Sequence, residues 1–222
     1  MTISDKLNDL ITAKADMKAA LQEKGVAPTG GLSTYADAIR DIEGGDVGIW
    51  KIPETVKFGY SQFSTIPAVI DTSNVKDAWF LFGECDKLSE VRSFNTSNMT
   101  QWHYMFWGSI NIHYVAELDA SNVYHVSYMF GHDYYDDEIS NVYDLDGFTN
   151  LGKQRYMVGT EQFLHCCPNL TRQSLINVFN KLYDRASAGY EIMNIKLHYN
   201  AFKRLTDADI AIATNKGWTV TS

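Results

Sequence analysis

Six histidines, His103, His113, His125, His132, His165 and His198, are the side chains in this sequence best suited to hold a metal or move a proton. No two of them take the four-residue helical spacing that aims a pair of imidazoles at one ion, and they show no other paired metal spacing. Asp136 and Glu138 could in principle flank a glycosidic bond, as two catalytic carboxylates must. They stand in a run with Asp133 and Asp137, and solvation explains such a run better. The stretch Asp144-Leu145-Asp146-Gly147 opens like a calcium loop, but its Gly is misplaced and no Glu closes the loop at its twelfth position. Cys166 and Cys167 are adjacent, poorly placed to bridge each other, and Cys85 is alone. Cys167 reads as a small buried apolar residue. No nucleophile elbow, phosphate-binding loop or dinucleotide fingerprint is present. No catalytic residue, cofactor or metal is therefore expected, and the chemistry left open is recognition.

Recognition needs a surface, and a repeat builds it. Asp71-Thr72-Ser73-Asn74-Val75, Asn95-Thr96-Ser97-Asn98-Met99 and Asp119-Ala120-Ser121-Asn122-Val123 recur at a fixed interval, since 98 − 74 and 122 − 98 are both 24. Leu81-Phe82, Met105-Phe106 and Met129-Phe130 follow at one place in each unit, then Leu88 and Ile112, Val91 and Val115, Phe94 and Leu118. A third unit reads as Ile139, Val142 and Leu145 after three extra residues, and a fourth as Asn150-Leu151, Leu164, Cys167 and Leu170. Rungs are thus expected to begin at Ile70, Phe94, Leu118, Leu145 and Leu170. A period in this range signals a solenoid, since one such unit cannot bury its apolar positions alone and stacking makes the core continuous. Asn74, Asn98, Asn122 and Asn150 would occupy one corner, their amides satisfying backbone groups that the bend leaves unpaired.

Positions that change from turn to turn are not fixed by stacking, and these are the binding candidates. They are the columns Lys76/Thr100/Tyr124, Asp77/Gln101/His125 and Trp79/His103/Ser127, with Trp107 standing where neighbouring turns have Gly83 and Gly131. Rings that stack on apolar faces, with polar groups fixing orientation, suit carbohydrate or protein recognition. The loop from Gly131 to Glu138, with Tyr134, Tyr135 and Asp136, is the expected insertion and a further candidate, because insertions in repeats emerge on one face.

The Asp-Thr-Ser-Asn-Val run followed by an apolar-Met-Phe triplet resembles the BspA-like leucine-rich repeat of bacterial surface proteins and of tail or fibre proteins of phages infecting gut bacteria. The resemblance covers about residues 50–222 and includes Cys167-Pro168-Asn169-Leu170-Thr171 and the closing Ala213 to Val220 stretch. The stretch 1–42 is similar to a helical segment at the front of phage virion proteins. What this implies is an α/β fold: a leucine-rich-repeat-type solenoid with short parallel strands, an N-terminal helical hairpin and an α/β C-terminal cap. It implies a non-enzymatic virion protein, fibre or decoration, found in the particle after synthesis in the host cytoplasm. The rival context is a bacterial surface adhesin.

Composition agrees with that of a folded chain. Of its 222 residues 45% are hydrophobic and 21% charged. A net charge of −8 disfavours nucleic acid, whose binders need a basic face, and no run of apolar residues approaches a membrane span. The sequence around Met1-Thr2-Ile3-Ser4-Asp5 lacks the basic and apolar regions of an export signal, which favours the phage context. Three regions are expected: residues 1–47 for attachment or oligomerisation, 48–170 for the capped repeat and 171–222 for the C-terminal cap. In the first, Leu7, Leu10, Met17 and Leu21 form a narrow helical seam able to meet other virion proteins or sister chains, with a trimer as the expected oligomer. Gly25 to Gly31 breaks that helix, a second follows from Ser33 or Thr34, and Gly44-Gly45 begins a linker. Host surface polysaccharide or protein is the expected outer partner.

Overall fold

The computed structural model describes residues 50–54, 56–68, 70–131 and 140–222. The attachment segment with Leu7, Leu10, Met17 and Leu21 lies outside these, as do Tyr134, Tyr135 and Asp136.

The described chain is mixed α/β, with short parallel strands and, among the described residues, no closed barrel. Its first seven strands are β1 (Trp50–Lys51), β2 (Ile70–Asp71), β3 (Glu90–Val91), β4 (Tyr114–Val115), β5 (Leu118–Asp119), β6 (Asp144–Leu145) and β7 (Phe148–Thr149). β1 pairs with β2, β3 with β4 and β4 with β6, β5 with β7, all in parallel. Parallel neighbours need a long crossover, and the rest of each repeat unit supplies it. Glu90 faces Tyr114, and at a second corner Asp77 bridges Gln101, which bridges His125.

The interior follows the same offset. Phe58, Phe82, Phe106 and Phe130 form a column with ring centroids 5.7, 5.8 and 5.8 Å apart and planes within 11° of parallel, and Phe163 continues it at 6.4 Å. Leu81, Met105 and Met129 are fully buried beside it. Each such side chain contributes about 1.5–3 kcal/mol on burial, but only if a neighbouring unit covers it. Phe58 and Gly59 stand one full period before Phe82 and Gly83, so the repeat grammar starts one unit earlier than the Asn motif indicates.

The register changes after the third Asn motif. Leu145 faces Val115, and Phe148 faces Leu118. Thr171 donates its N–H to the Tyr143 carbonyl. The column that includes Leu118 therefore continues at Phe148, not at Leu145. The insertion is six residues, since 148 − 118 is 30, and not three. Three more enter before Val158, which bridges His125 at an offset of 33. Apolar residues recur every third position here, at 142, 145 and 148, so a slip of three keeps the apolar pattern, and only hydrogen bonding selects the register.

Beyond Leu170 lie α1 (Arg172–Lys181), β8 (Met193–Lys196), α2 (Tyr199–Phe202), α3 (Asp207–Thr214) and β9 (Trp218–Thr221). Thr171 caps α1, its hydroxyl accepting the Ser174 N–H at 3.1 Å, and Leu175, Val178 and Phe179 bury its apolar face. Thr206 and Asp209 form a capping box on α3. Arg172 grips Asp209 through two bonds of 2.8 and 2.7 Å, tying α1 to α3, and this holds the Asp209 carboxyl well below the usual carboxylate range. β8 and β9 pair in parallel as a sheet of their own, joined to the repeats by a parallel Leu164–Leu197 bridge. Arg185 is buried between the two parts, donating to the carbonyls of Glu191, Gly152, Gln154 and Arg155, with its guanidinium 5.7 Å from the Trp218 ring.

Candidate recognition face

One turn recurs in successive units. Leu81 N–H donates to Ala78 at 3.0 Å and Met105 N–H to Trp102 at 3.1 Å, closing four-residue bends. The third residue of each bend, Phe80 or Tyr104, and its equivalent Tyr128 have φ of 53°, 57° and 53°. This left-handed region ordinarily takes Gly or Asn, and a bulky side chain there costs about 1–2 kcal/mol. The ladder on both sides fixes it: Ala78 donates to Gln101, Phe82 to Met105 and Tyr104 to Ser127.

The consequence is a band of half-buried rings along the stack. Tyr104 and Tyr128 lie 5.6 Å apart and 17° from parallel, Tyr128 meets His165 edge-on at 5.9 Å, and Tyr60 meets Phe80 at 5.8 Å. Glycine makes room for the band, since a Cβ at Gly59 or Gly83 would come within 2.7 or 2.6 Å of the Phe80 ring. Trp107 enters between units, 6.1 Å from Phe80 and 6.3 Å from Tyr104.

A second row runs beside the first. Trp79 is 6.5 Å from His103, and His103 stacks on His125 at 4.4 Å with planes 5° apart. His125 Nε2 lies 3.0 Å from the Ser127 hydroxyl. Burial lowers the pKa of both histidines, for His103 with the help of His125, while Asp77 opposes the shift. Both rings are therefore neutral at pH 7, and each carries one donor and one acceptor nitrogen. Lys57 donates Nζ to the Asp77 carbonyl at 2.5 Å, and burial lowers its pKa as well.

Of the sequence candidates, Trp79, His103, Trp107 and His125 come together here. Tyr124, 42% exposed, follows on the same ladder, where it donates its N–H to Thr100 and accepts that of Val158. Phe80, Tyr104 and Tyr128 escape the sequence reading, although they are aromatic in every unit, because constancy between units is also the mark of stacking. Asn98 donates its amide to Ser73 at 2.7 Å and Asn122 to Ser97 at 2.6 Å, while Asn74 is exposed. Asn150 does not continue this corner. It has φ of 61° and bonds the Ser121 hydroxyl, and Gln154 reaches the Ser121 carbonyl at 2.8 Å.

Among the described residues, no group of three His, Cys, Asp or Glu side chains could hold a metal. Cys85 is buried, which pushes its thiol up to about 12, far from a reactive thiolate. A polar groove lined by Phe94, Asn95, Glu117 and Asp119 also opens on the surface, but Lys181 and Thr149 bind Glu117, and Ser121 binds Asp119. Stacked rings hide their faces, so the band offers solvent mainly ring edges and polar atoms. A broad open ring remains at Tyr60, 69% exposed.

No protein-family model, curated protein or solved structure matches the chain. Among the described residues no helix is long and apolar enough to cross a membrane.

Proposed function

We propose that this chain is a non-enzymatic structural protein of a phage particle, a fibre or decoration protein built as a BspA-like leucine-rich-repeat solenoid, and that its repeats present a rigid face to the host surface. The observation that carries the reading is the band of rings through Phe80, Tyr104 and Tyr128, held in a costly backbone conformation at the same place in three units. Strain kept at a half-buried aromatic site, with no catalytic cluster beside it among the described residues, favours binding as the function. The repeat sequence supplies the particle context through its resemblance to phage fibre proteins. Residues 1–47 would join the chain to the particle or to sister chains, as a trimer.

Immunogold labelling of purified virions tests the proposal directly. Gold on the particles is the expected result, and labelled cell envelopes with bare particles would replace the virion reading by that of a bacterial adhesin. Deleting residues 1–45 should lower the mass measured by light scattering, and an unchanged mass would remove the attachment role from that segment.

A further inference from the structure

We infer that the aromatic face takes a neutral, linear polysaccharide running along the stack, one sugar unit to each repeat. The inference rests on the recognition role proposed above and names its ligand. The first argument is spacing. Parallel rungs advance by about 4.7–4.9 Å. The Tyr104 and Tyr128 rings, one repeat apart, lie 5.6 Å from each other. An extended peptide repeats its side chains on one face every ~6.7 Å and falls out of step within two or three rungs. A pyranose linked across its ring advances by close to one rung, so each unit of such a polymer meets an equivalent set of groups.

Chemistry and charge narrow the choice further. Neutral His103 and His125, the Ser127 hydroxyl and the phenols of Tyr104 and Tyr128 all donate and accept, as sugar hydroxyls do. Tyr60 and Trp79 add ring area at one end of the rows, where C–H faces of a sugar can pack. Among the described residues, the charged groups that meet these rings and histidines are Lys57, Asp77 and Glu84. Lys57 is committed to the Asp77 carbonyl, and the Glu84 carboxyl lies over Gly108, 2.5 Å from where a Cβ would stand. No cluster of cations awaits a uronate, sulfate or phosphate among the described residues of this face, and the chain's net charge of −8 repels acidic polymers.

The test is calorimetric titration of the full chain with neutral linear oligosaccharides of two to eight units, α- and β-linked glucans, mannans and galactans, against oligogalacturonate of equal length. For at least one neutral series, affinity should rise at least tenfold from two units to about five and then level off as the rows are filled. The uronate should bind at least tenfold more weakly. Tyr104→Asn with Tyr128→Asn should abolish the gain with length, and circular dichroism should show the fold kept, since Asn suits a left-handed backbone. Binding that does not depend on length, equal affinity for the uronate, or no binding by any neutral series would overturn the inference. Gold-labelled virions together with that failure would leave the virion reading in place, and bare virions with length-dependent binding would do the reverse.

Discussion

His103 and His125 stack with centroids 4.4 Å apart although they belong to different columns of the repeat, the register partner of His125 being Gln101. The contact is diagonal across two units. Burial lowers both pKa values from the ordinary 6.5, so the folded chain binds fewer protons than the unfolded one as pH falls. The associated stability is fully present above about pH 6.5 and is lost as pH drops through the lowered folded values. Asp77 pulls against this shift, and Lys57 adds to that of His103. Thermal melts should therefore be flat from pH 8 to 7 and decline below 6.5, and His125→Gln should flatten the decline. A further decline is expected below about pH 3.8, where Asp209 of the unfolded chain takes up a proton while Arg172 keeps the folded carboxyl charged, until the pH falls through its lowered folded value.

At position 104 the backbone conformation sets the rank of substitutions. Tyr104→Val should destabilise more than Tyr104→Asn, by about 1 kcal/mol, because a β-branched side chain suits positive φ least. Denaturant melts of the two variants check this, and equal midpoints would contradict the left-handed assignment.

Asn122 donates its amide to the Ser97 carbonyl. Asn122→Ala should cost about 0.5–1 kcal/mol, the lower part of the range for a hydrogen bond, since the site is exposed. Asn122→Asp should cost more, because it sets an acceptor against an acceptor. Urea titrations at pH 7 would show the order reversed if the amide faced elsewhere.

Gly159 has φ of 87°, and a Cβ there would stand 2.3 Å from the Ser127 nitrogen and 2.6 Å from its Cα. Gly159→Ala should cost about 2–4 kcal/mol from strain and overpacking together. Ser127→Gly should not rescue it, since the clash is with backbone. Chemical melts of the single and double variants decide the point.

Removing the Arg185 guanidinium leaves four carbonyls, of Gly152, Gln154, Arg155 and Glu191, without their donor. Arg185→Met keeps the stem but should cost about 3 kcal/mol or more, and Arg185→Lys should fail to restore it, because one ammonium cannot reproduce the planar fork. Thermal unfolding followed at the tryptophans should show this, and a Lys variant as stable as the parent would overturn it.

The repeat period and the Phe82, Phe106 and Phe130 column were legible in the sequence, because each depends on residue type at a fixed local spacing. The insertion was not. Val142, Leu145 and Phe148 offer the same apolar pattern in two registers, and only the bonds from Asp146 to Val115 and from Ala120 to Thr149 choose between them. The aromatic band was half legible: Trp79, His103, Trp107 and His125 stood out by varying between units, while Phe80, Tyr104 and Tyr128 were hidden by their constancy.

By itself, then, the order of residues determined which positions repeat and which of them are apolar, since those depend on the chain's own covalent spacing. Which residues touch across repeats was decided in three dimensions. His103 meets His125, Gln154 takes over the amide contact at the Asn corner, and Phe148 follows Leu118, because those contacts depend on where the backbone stacks and how far each side chain reaches.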